Sequence, residues 1–306
     1  MIAKVKRAAV LAVVLAAVTV YADQPPAQQP PQGQPGTAAQ PGQGRGRAGG
    51  GGFRQPDPID FQEHDGWTSL FDGQTLKGWS GDSNWKVEDG AIVVESSCEK
   101  PTGTIYLVWQ GGEAADFELK LEMKGTGMIN GGVQYRGWIA PNPPRPQRQG
   151  QGDAAPRPAV PPCASGAPRG TPPDAKSEEQ WNMWGAQYDF DAGNRYTGQF
   201  YEQSTGRGIV AWKGQVVRTE QGKNPRLLAT LGEPAVIDSY YKKDDWNELH
   251  IIAIGNQMTH ILNGHVLSIL IDEDASKARR SGIIGLEVEA TGKLFTRNIW
   301  LKKLSQ

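Results

Sequence analysis

The chain has 306 residues, of which 39 are Gly and 22 Pro, about a fifth of the total in place of the usual roughly 12%. Lys and Arg together number 32 against 33 Asp and Glu, a net charge of −1, which excludes a strongly basic nucleic-acid binder. Two cysteines exclude a disulfide-dense scaffold and a zinc centre of four thiolates.

Residues 1–22 read as a cleavable signal peptide. Lys4, Lys6 and Arg7 precede an apolar run over 8–20, and Val20-Tyr21-Ala22 offers small residues at the cleavage flanks. The run falls short of the about 20 residues of a membrane span, so the mature protein is expected in the periplasm or outside and not spanning a membrane; an uncleaved anchor is the alternative. Cleavage removes three cations and takes the net charge from −1 to −4. Export would allow Cys98 and Cys163 to pair, with two free thiols as the alternative. Residues 23–56, rich in Gln, Pro and Gly with Arg45, Arg47 and Arg54, cannot bury enough apolar surface to offset the entropy of ordering and read as a flexible tether.

From 57 to 306 the pattern is that of one β domain. Short runs at 67–71, 85–87 and 91–94 come first, with Asp72-Gly73 after the first and Asp89-Gly90 between the last two, a strong hairpin signal. Phe117 to Lys124 alternates strictly: Phe117, Leu119, Leu121 and Met123 face one way, and Glu118, Lys120, Glu122 and Lys124 the other. Residues 131–138 form the next strand. A Pro/Arg/Gln-rich insert over 141–176 follows, read as disordered decoration or as cover for a site. One short helix is expected near 177–180. Strands at 187–190, 208–212, 248–254, 258–262, 266–271, 282–288 and 294–301 complete the chain, with Asn263-Gly264 as another hairpin turn. The pattern predicts an all-β sandwich or barrel.

No zinc-protease motif, nucleophile elbow, Walker loop or dinucleotide fingerprint is present. His260 and His265 flank the Asn-Gly turn and are expected as exposed hairpin histidines; a two-histidine metal site would need a carboxylate from elsewhere. The polar residues in the strands carry more information. Glu122, Asn130, Gln134, Arg136, Gln187, Asp189, Glu287 and Glu289 interrupt otherwise apolar strand positions, with Tyr135, Trp138, Trp181, Trp184 and Tyr188 nearby in sequence. Such a face would suit a sugar, whose hydroxyls need fixed polar partners and whose C–H faces need aromatic rings. A solvated outer face over a tryptophan-bearing core is the alternative.

Several stretches together resemble the bacterial 3-keto-disaccharide hydrolase domain family. They include Gly66-Trp-Thr-Ser-Leu-Phe-Asp-Gly73, Trp85-Lys-Val-Glu-Asp-Gly90, Asp116-Phe-Glu-Leu-Lys-Leu-Glu122, Asn130-Gly-Gly-Val-Gln-Tyr-Arg136, Gly185-Ala-Gln-Tyr-Asp189 and Tyr196-Thr-Gly198. Tyr201-Glu202, Trp246-Asn247, His260-Ile-Leu-Asn-Gly264 and Arg297-Asn-Ile299 continue the series, which covers roughly residues 64–304. The resemblance implies a concanavalin-like jelly-roll sandwich of two antiparallel sheets. It also implies 3-keto-glucoside 1,2-lyase and 3-keto-2-hydroxy-glucal hydratase activities. The C3 ketone acidifies the C2 proton, a base removes it, the C1 substituent leaves by β-elimination, and water adds back. A glycoside 3-dehydrogenase would have to act upstream as a partner.

Such chemistry needs a base, an electrophile at the C3 oxygen and an acid at the leaving oxygen. Asp189 or Glu122 is expected as the base and Glu289 or Glu287 as the acid. Arg136, or a divalent cation held by carboxylates, would stabilise the enolate. Asn130, Gln134, Gln187 and Glu202 would orient the sugar. One departure stands out: similar sequences commonly read Gly-Leu-Gln-x-His where this chain has Gly285-Leu286-Glu287-Val288-Glu289. Two carboxyl groups two positions apart on one strand face would raise each other's pKa or hold a cation. A non-catalytic carbohydrate-binding module and a conventional two-carboxylate glycoside hydrolase are the competing functions.

Overall fold

The computed structural model describes residues 55–141, 163–171 and 180–304. The expected signal peptide, the tether, and most of the insert and of the short helix near 177–180 lie outside them. The described residues from 57 onward form one compact unit.

In chain order the strands are β1 (Thr68–Ser69), β2 (Trp79–Gly81), β3 (Lys86–Glu88), β4 (Ala91–Ser96), β5 (Ile105–Trp109), β6 (Phe117–Gly125), β7 (Asn130–Ile139), β8 (Met183–Asp191) and β9 (Phe200–Gln203). They continue with β10 (Gly208–Ala211), β11 (Gln215–Glu220) and β12 (Arg226–Thr230); then come a short helix α1 (Pro234–Asp238), β13 (Asn247–Ile254), β14 (Gln257–Leu262), β15 (His265–Glu273), β16 (Ile283–Glu289) and β17 (Gly292–Lys303). They form a jelly-roll sandwich. The larger sheet runs β12-β11-β15-β14-β13-β6-β17-β4-β3, with β1 on β17; the smaller runs β10-β9-β8-β7-β16-β5-β2. Pairing is antiparallel except between β11 and β15, which run parallel. The chain crosses from β10 to β11 through a turn in which Gly214 N–H donates to Leu267 O, and β11 therefore enters the larger sheet alongside β15.

Alternation places the core. Phe117, Leu119, Leu121 and Met123 of β6 are fully buried between the sheets, as are Val133 and Tyr135 of β7, Tyr188 and Phe190 of β8, and Leu286 and Val288 of β16. The hairpin turns expected at 89–90 and 263–264 form, whereas Asp72-Gly73 makes none, since β1 pairs with β17 and β2 with β5. Asp89 and Gly90 have φ 49° and 76°, Asn263 and Gly264 49° and 80°, the doubly left-handed pattern of a type I′ turn that suits Asx-Gly. The other face of β6 is less solvated than its sequence suggests. Lys120 is 2% exposed because the segment before β1 covers it: its Nζ donates to the carbonyls of Asp60 and Glu63 and lies 4.5 Å from the Trp67 ring centre. The two cysteines are joined, fastening residues 163–171 of the insert to the loop after β4, where Gly170 N–H also donates to Cys98 O at 2.9 Å.

Candidate functional site

The site is built on the outer face of the smaller sheet, the face turned away from the core. On β7, β8 and β16 the residues between the core positions point there, and register lines them up. Gln134 pairs with Gln187 and Gly285; Gly132 with Asp189 and Glu287; Asn130 with Asp191 and Glu289. Gly132 is therefore a bare floor between two carboxyl-bearing strands. A Cβ there would stand 2.2 Å from the Tyr188 carbonyl, so close strand packing also demands glycine.

These side chains form one hydrogen-bonded network. Gln134 Nε2 donates to Gln187 Oε1 at 3.0 Å. Gln187 Nε2 donates to Asp189 at 2.8 Å and to Glu287 at 3.2 Å. Gln199 Nε2 donates to the other oxygen of Asp189 at 2.5 Å, and Asn130 Nδ2 to Glu289 at 2.7 Å. Tyr106 of β5 and Gln203 of β9 meet above the face, the Gln203 Nε2 donating to the Tyr106 hydroxyl at 3.1 Å. Asn130 Oδ1, Gln134 Oε1 and Gln199 Oε1 are buried acceptors with no partner among the described residues, each a hydrogen bond left unmade.

Burial sets the electrostatics. Asp189 is pushed up to about 8, chiefly by loss of solvation, with the Glu289 charge adding to it against the two glutamine bonds. Glu287 is raised well above the ordinary carboxyl value, first by burial and then by Glu289 and Asp189. Of the expected mutual effect of the two β16 carboxyl groups, the part seen is that of Glu289 on Glu287, and it is second to burial. The Tyr106 phenol is raised by burial and by Glu287. Tyr201, half-buried, is raised by burial and then by Asp189, Glu289 and Glu287. Burial thus favours the neutral forms of Asp189, Glu287 and the two phenols beside Glu289, which is half-buried.

Six of the nine expected site residues meet here: Asn130, Gln134, Gln187, Asp189, Glu287 and Glu289. Three do not. Glu122 lies on the outer face of the larger sheet, where it takes two bonds from Arg297, at 3.0 and 3.2 Å, and one from Asn298. Arg136 has φ 48° at a register break in β7, so its guanidinium leaves the polar face. It donates to the carbonyls of Ala115 and Gly255 and to Asp116. Glu202 has the parity of the core-facing Phe200 and pairs with Arg207 at 2.6 Å, beside Asp272. The single polar face expected to carry all nine therefore carries six, because the bulge at Arg136, the inward parity of Glu202 and the placing of β6 in the other sheet were not visible in the alternation.

The aromatic expectation is also corrected. Tyr135 and Tyr188 are core residues around His260, and Trp138 packs on Trp184 with Arg279 over its ring. Trp181 alone of the five packs against the outer-face apolar cluster of Tyr106, Val108 and Met183. His260 is not an exposed hairpin histidine. It is fully buried, 2.7 Å from the Tyr135 hydroxyl and 3.3 Å from Gly198 O, and burial lowers it to about 3. His265 is exposed and stacks on Tyr240, so the two share no site. Tyr106, Gln199, Tyr201 and Gln203 were missed; the alternation Gln199-Phe200-Tyr201 was a legible signal, whereas Tyr106 sits in an unbroken apolar run over 105–109. Among the described residues no group of three or more His, Cys, Asp and Glu side chains is arranged to hold a metal ion.

A family model described as the 3-keto-alpha-glucoside-1,2-lyase-like domain matches residues 66–302, which marks a carbohydrate-active protein. No curated protein gives a significant match. Among solved structures the chain is similar to a provisionally assigned glycosyl hydrolase of Parabacteroides distasonis ATCC 8503, at 15% identity over 82% of this chain and 100% of that one, TM-score 0.42. It is similar to the carbohydrate-binding module CBM66 of Bacillus subtilis, at 14% identity over 75% and 96%, TM-score 0.40. A Bacillus subtilis protein of unknown function with a galectin-like fold is 10% identical over 74% and 90%, TM-score 0.44.

Proposed function

We propose a reaction for this chain, which belongs to the 3-keto-alpha-glucoside-1,2-lyase-like family: it cleaves 3-keto-glycosides by β-elimination followed by hydration, on the outer face of the smaller sheet. The observation that carries the reading is the grouping of three carboxyl groups and two phenols around the bare floor at Gly132.

Glu289, at the open side of the cluster, takes the C2 proton. The C2–H electron pair moves into the ketone to give an enolate at the C3 oxygen, and its return forms the C1–C2 double bond as the C1–O bond breaks. Asp189, protonated near neutral pH, gives its proton to the leaving oxygen. This reverses the sequence-based choice of Asp189 as base, because burial favours the neutral acid. The Tyr201 phenol, kept protonated, donates to the C3 oxygen as enolate charge develops. In the hydration, water adds at C1 and C2 regains a proton.

The substrate has to be oxidised at C3 first, so an upstream glycoside 3-dehydrogenase is part of the proposal. So is export by the signal peptide of residues 1–22; the Cys98–Cys163 bond is in keeping with an oxidising compartment.

The test is incubation of the protein with a 3-keto-glucoside and with its unoxidised parent, with and without EDTA. Aglycone release from the keto compound alone supports the reading, and EDTA sensitivity would add a cation to it. Release from both would make the protein a conventional hydrolase. Sugar binding without release from either would leave a binding module, in line with the Glu at 289 where similar sequences commonly carry His.

A further inference from the structure

We infer that the site is a blind pocket, closed at one end by the clasp between Tyr106 and Gln203, and that it accepts a sugar only as the terminal unit of a chain. The inference rests on the outer face of the smaller sheet being the sugar site.

Tyr106 stands on β5 and Gln203 on β9, at opposite sides of the order β9-β8-β7-β16-β5. Four strand spacings measure roughly 19 Å on a flat sheet, more than these two side chains span. Their 3.1 Å hydrogen bond is therefore possible only because the sheet curls toward its outer face, making that face a trough. The bond runs diagonally, since Tyr106 is level with Glu287 and Gln203 with Gly185. It passes over Gln134 and Gln187.

Burial follows the clasp. Gln134 is 0% and Glu287 1% exposed, although both lie on the face turned from the core. Toward the other end Asn130 and Glu289 are only half-buried. Behind the clasp the trough is filled. Tyr106, Val108 and Met183 form an apolar cluster of their own, joined by Trp181 and Ile283. Met183 lies so closely over Gly285 that a Cβ on that glycine would stand 2.3 Å from its sulfur. A sugar ring over Gly132 thus has its far side against the clasp, and further units can leave only past Asn130 and Glu289. The aglycone takes that exit, and the ring that is cleaved must be the non-reducing end.

The test compares a 3-keto-disaccharide oxidised on its terminal ring with a trisaccharide oxidised on its middle ring. The internal ketone is expected to react about 100-fold more slowly, and Gln203→Ala and Tyr106→Ala, which remove the clasp and, at 106, a ring of the fill behind it, are each expected to raise the internal-to-terminal ratio about tenfold. Comparable rates on both substrates in the unmodified protein, or a ratio unmoved in both variants, would overturn the inference. If neither substrate is cleaved the proposed reaction fails, and the pocket is then read from binding. In saturation-transfer NMR with the unoxidised sugars, the terminal ring of the disaccharide should carry the strongest signals, and a disaccharide capped on that ring should not bind. Equal binding of the capped sugar, or no binding of either, would overturn it.

Discussion

Gln187 donates through one Nε2 to Asp189 at 2.8 Å and to Glu287 at 3.2 Å, so a single side-chain amide joins two buried carboxyl groups. Two carboxylates at that depth would repel each other and forfeit solvation, so the arrangement is stable while protons neutralise it.

That network makes stability depend on pH. Asp189 is raised from 3.8 to about 8 by folding. A carboxyl raised in this way contributes stability that is fully present below its unfolded pKa and is lost as the pH rises through its folded value. The melting temperature should therefore fall between about pH 4 and about pH 8, each unit being worth about 1.4 kcal/mol at most. Glu287, raised in the same direction, adds to the slope. Asp189→Asn should flatten the decline at the expense of one glutamine bond. Thermal melts of both proteins across this range test it; parallel curves would show that Asp189 does not titrate in the fold.

Glu289→Gln should lower kcat on a 3-keto-glucoside by about 10²- to 10⁴-fold, while sugar binding persists because Asn130 can bond an amide as well. Single-turnover kinetics with a parallel binding titration separate the two. Unchanged kcat would remove Glu289 from the chemistry.

Glu122→Ala should act on stability and spare activity. The carboxylate gathers Arg297 and Asn298 at the register shift in β17, but Arg297 is 36% exposed, so solvent screening limits the loss to about 1–2 kcal/mol. Urea unfolding reads this. A fall in kcat/KM exceeding the fall in folded fraction would return Glu122 to the site.

His260 supports the site from beneath. It holds the Tyr135 hydroxyl and Gly198 O; the next residue, Gln199, holds Asp189. His260→Leu should cost about 1–3 kcal/mol by orphaning the buried tyrosine hydroxyl and should also shift the alkaline limb of the activity profile, since Asp189 loses a fixed partner. A stability loss with an unmoved profile would confine His260 to the core.

Reduction of Cys98–Cys163, which bridges a sequence separation of 65, should destabilise the domain by about 4 kcal/mol if chain entropy dominates. The serine double variant should show the same midpoint shift with and without reductant. No shift on reduction of the unmodified protein would mean that the tethered segment 163–171 contributes nothing to the fold.

The fold was legible where alternation is strict. The eight residues from Phe117 and the Asx-Gly turns at 89–90 and 263–264 placed strands and hairpins correctly, and motif order gave the sandwich. β5 and β9 escaped the reading, the first because its apolar run has no period, the second because it is four residues long. With them went Tyr106, Tyr201 and Gln203, which form the walls of the site. Glu202 and Arg136 looked like neighbours of Gln187 and Gln134, yet side-chain period 2 sends Glu202 inward and a left-handed residue turns Arg136 away. Glu122 misled for a different reason: a polar face exists on β6 as well, but on the other sheet.

The most direct measurement is turnover of a 3-keto-glucoside in D2O with the product followed by NMR. Elimination breaks the C2–H bond and hydration rebuilds it from solvent, so the released 3-keto-glucose should carry deuterium at C2 well beyond the exchange of substrate incubated without protein. Aglycone release with the C2 proton retained would mean direct hydrolysis at C1 and would contradict the account.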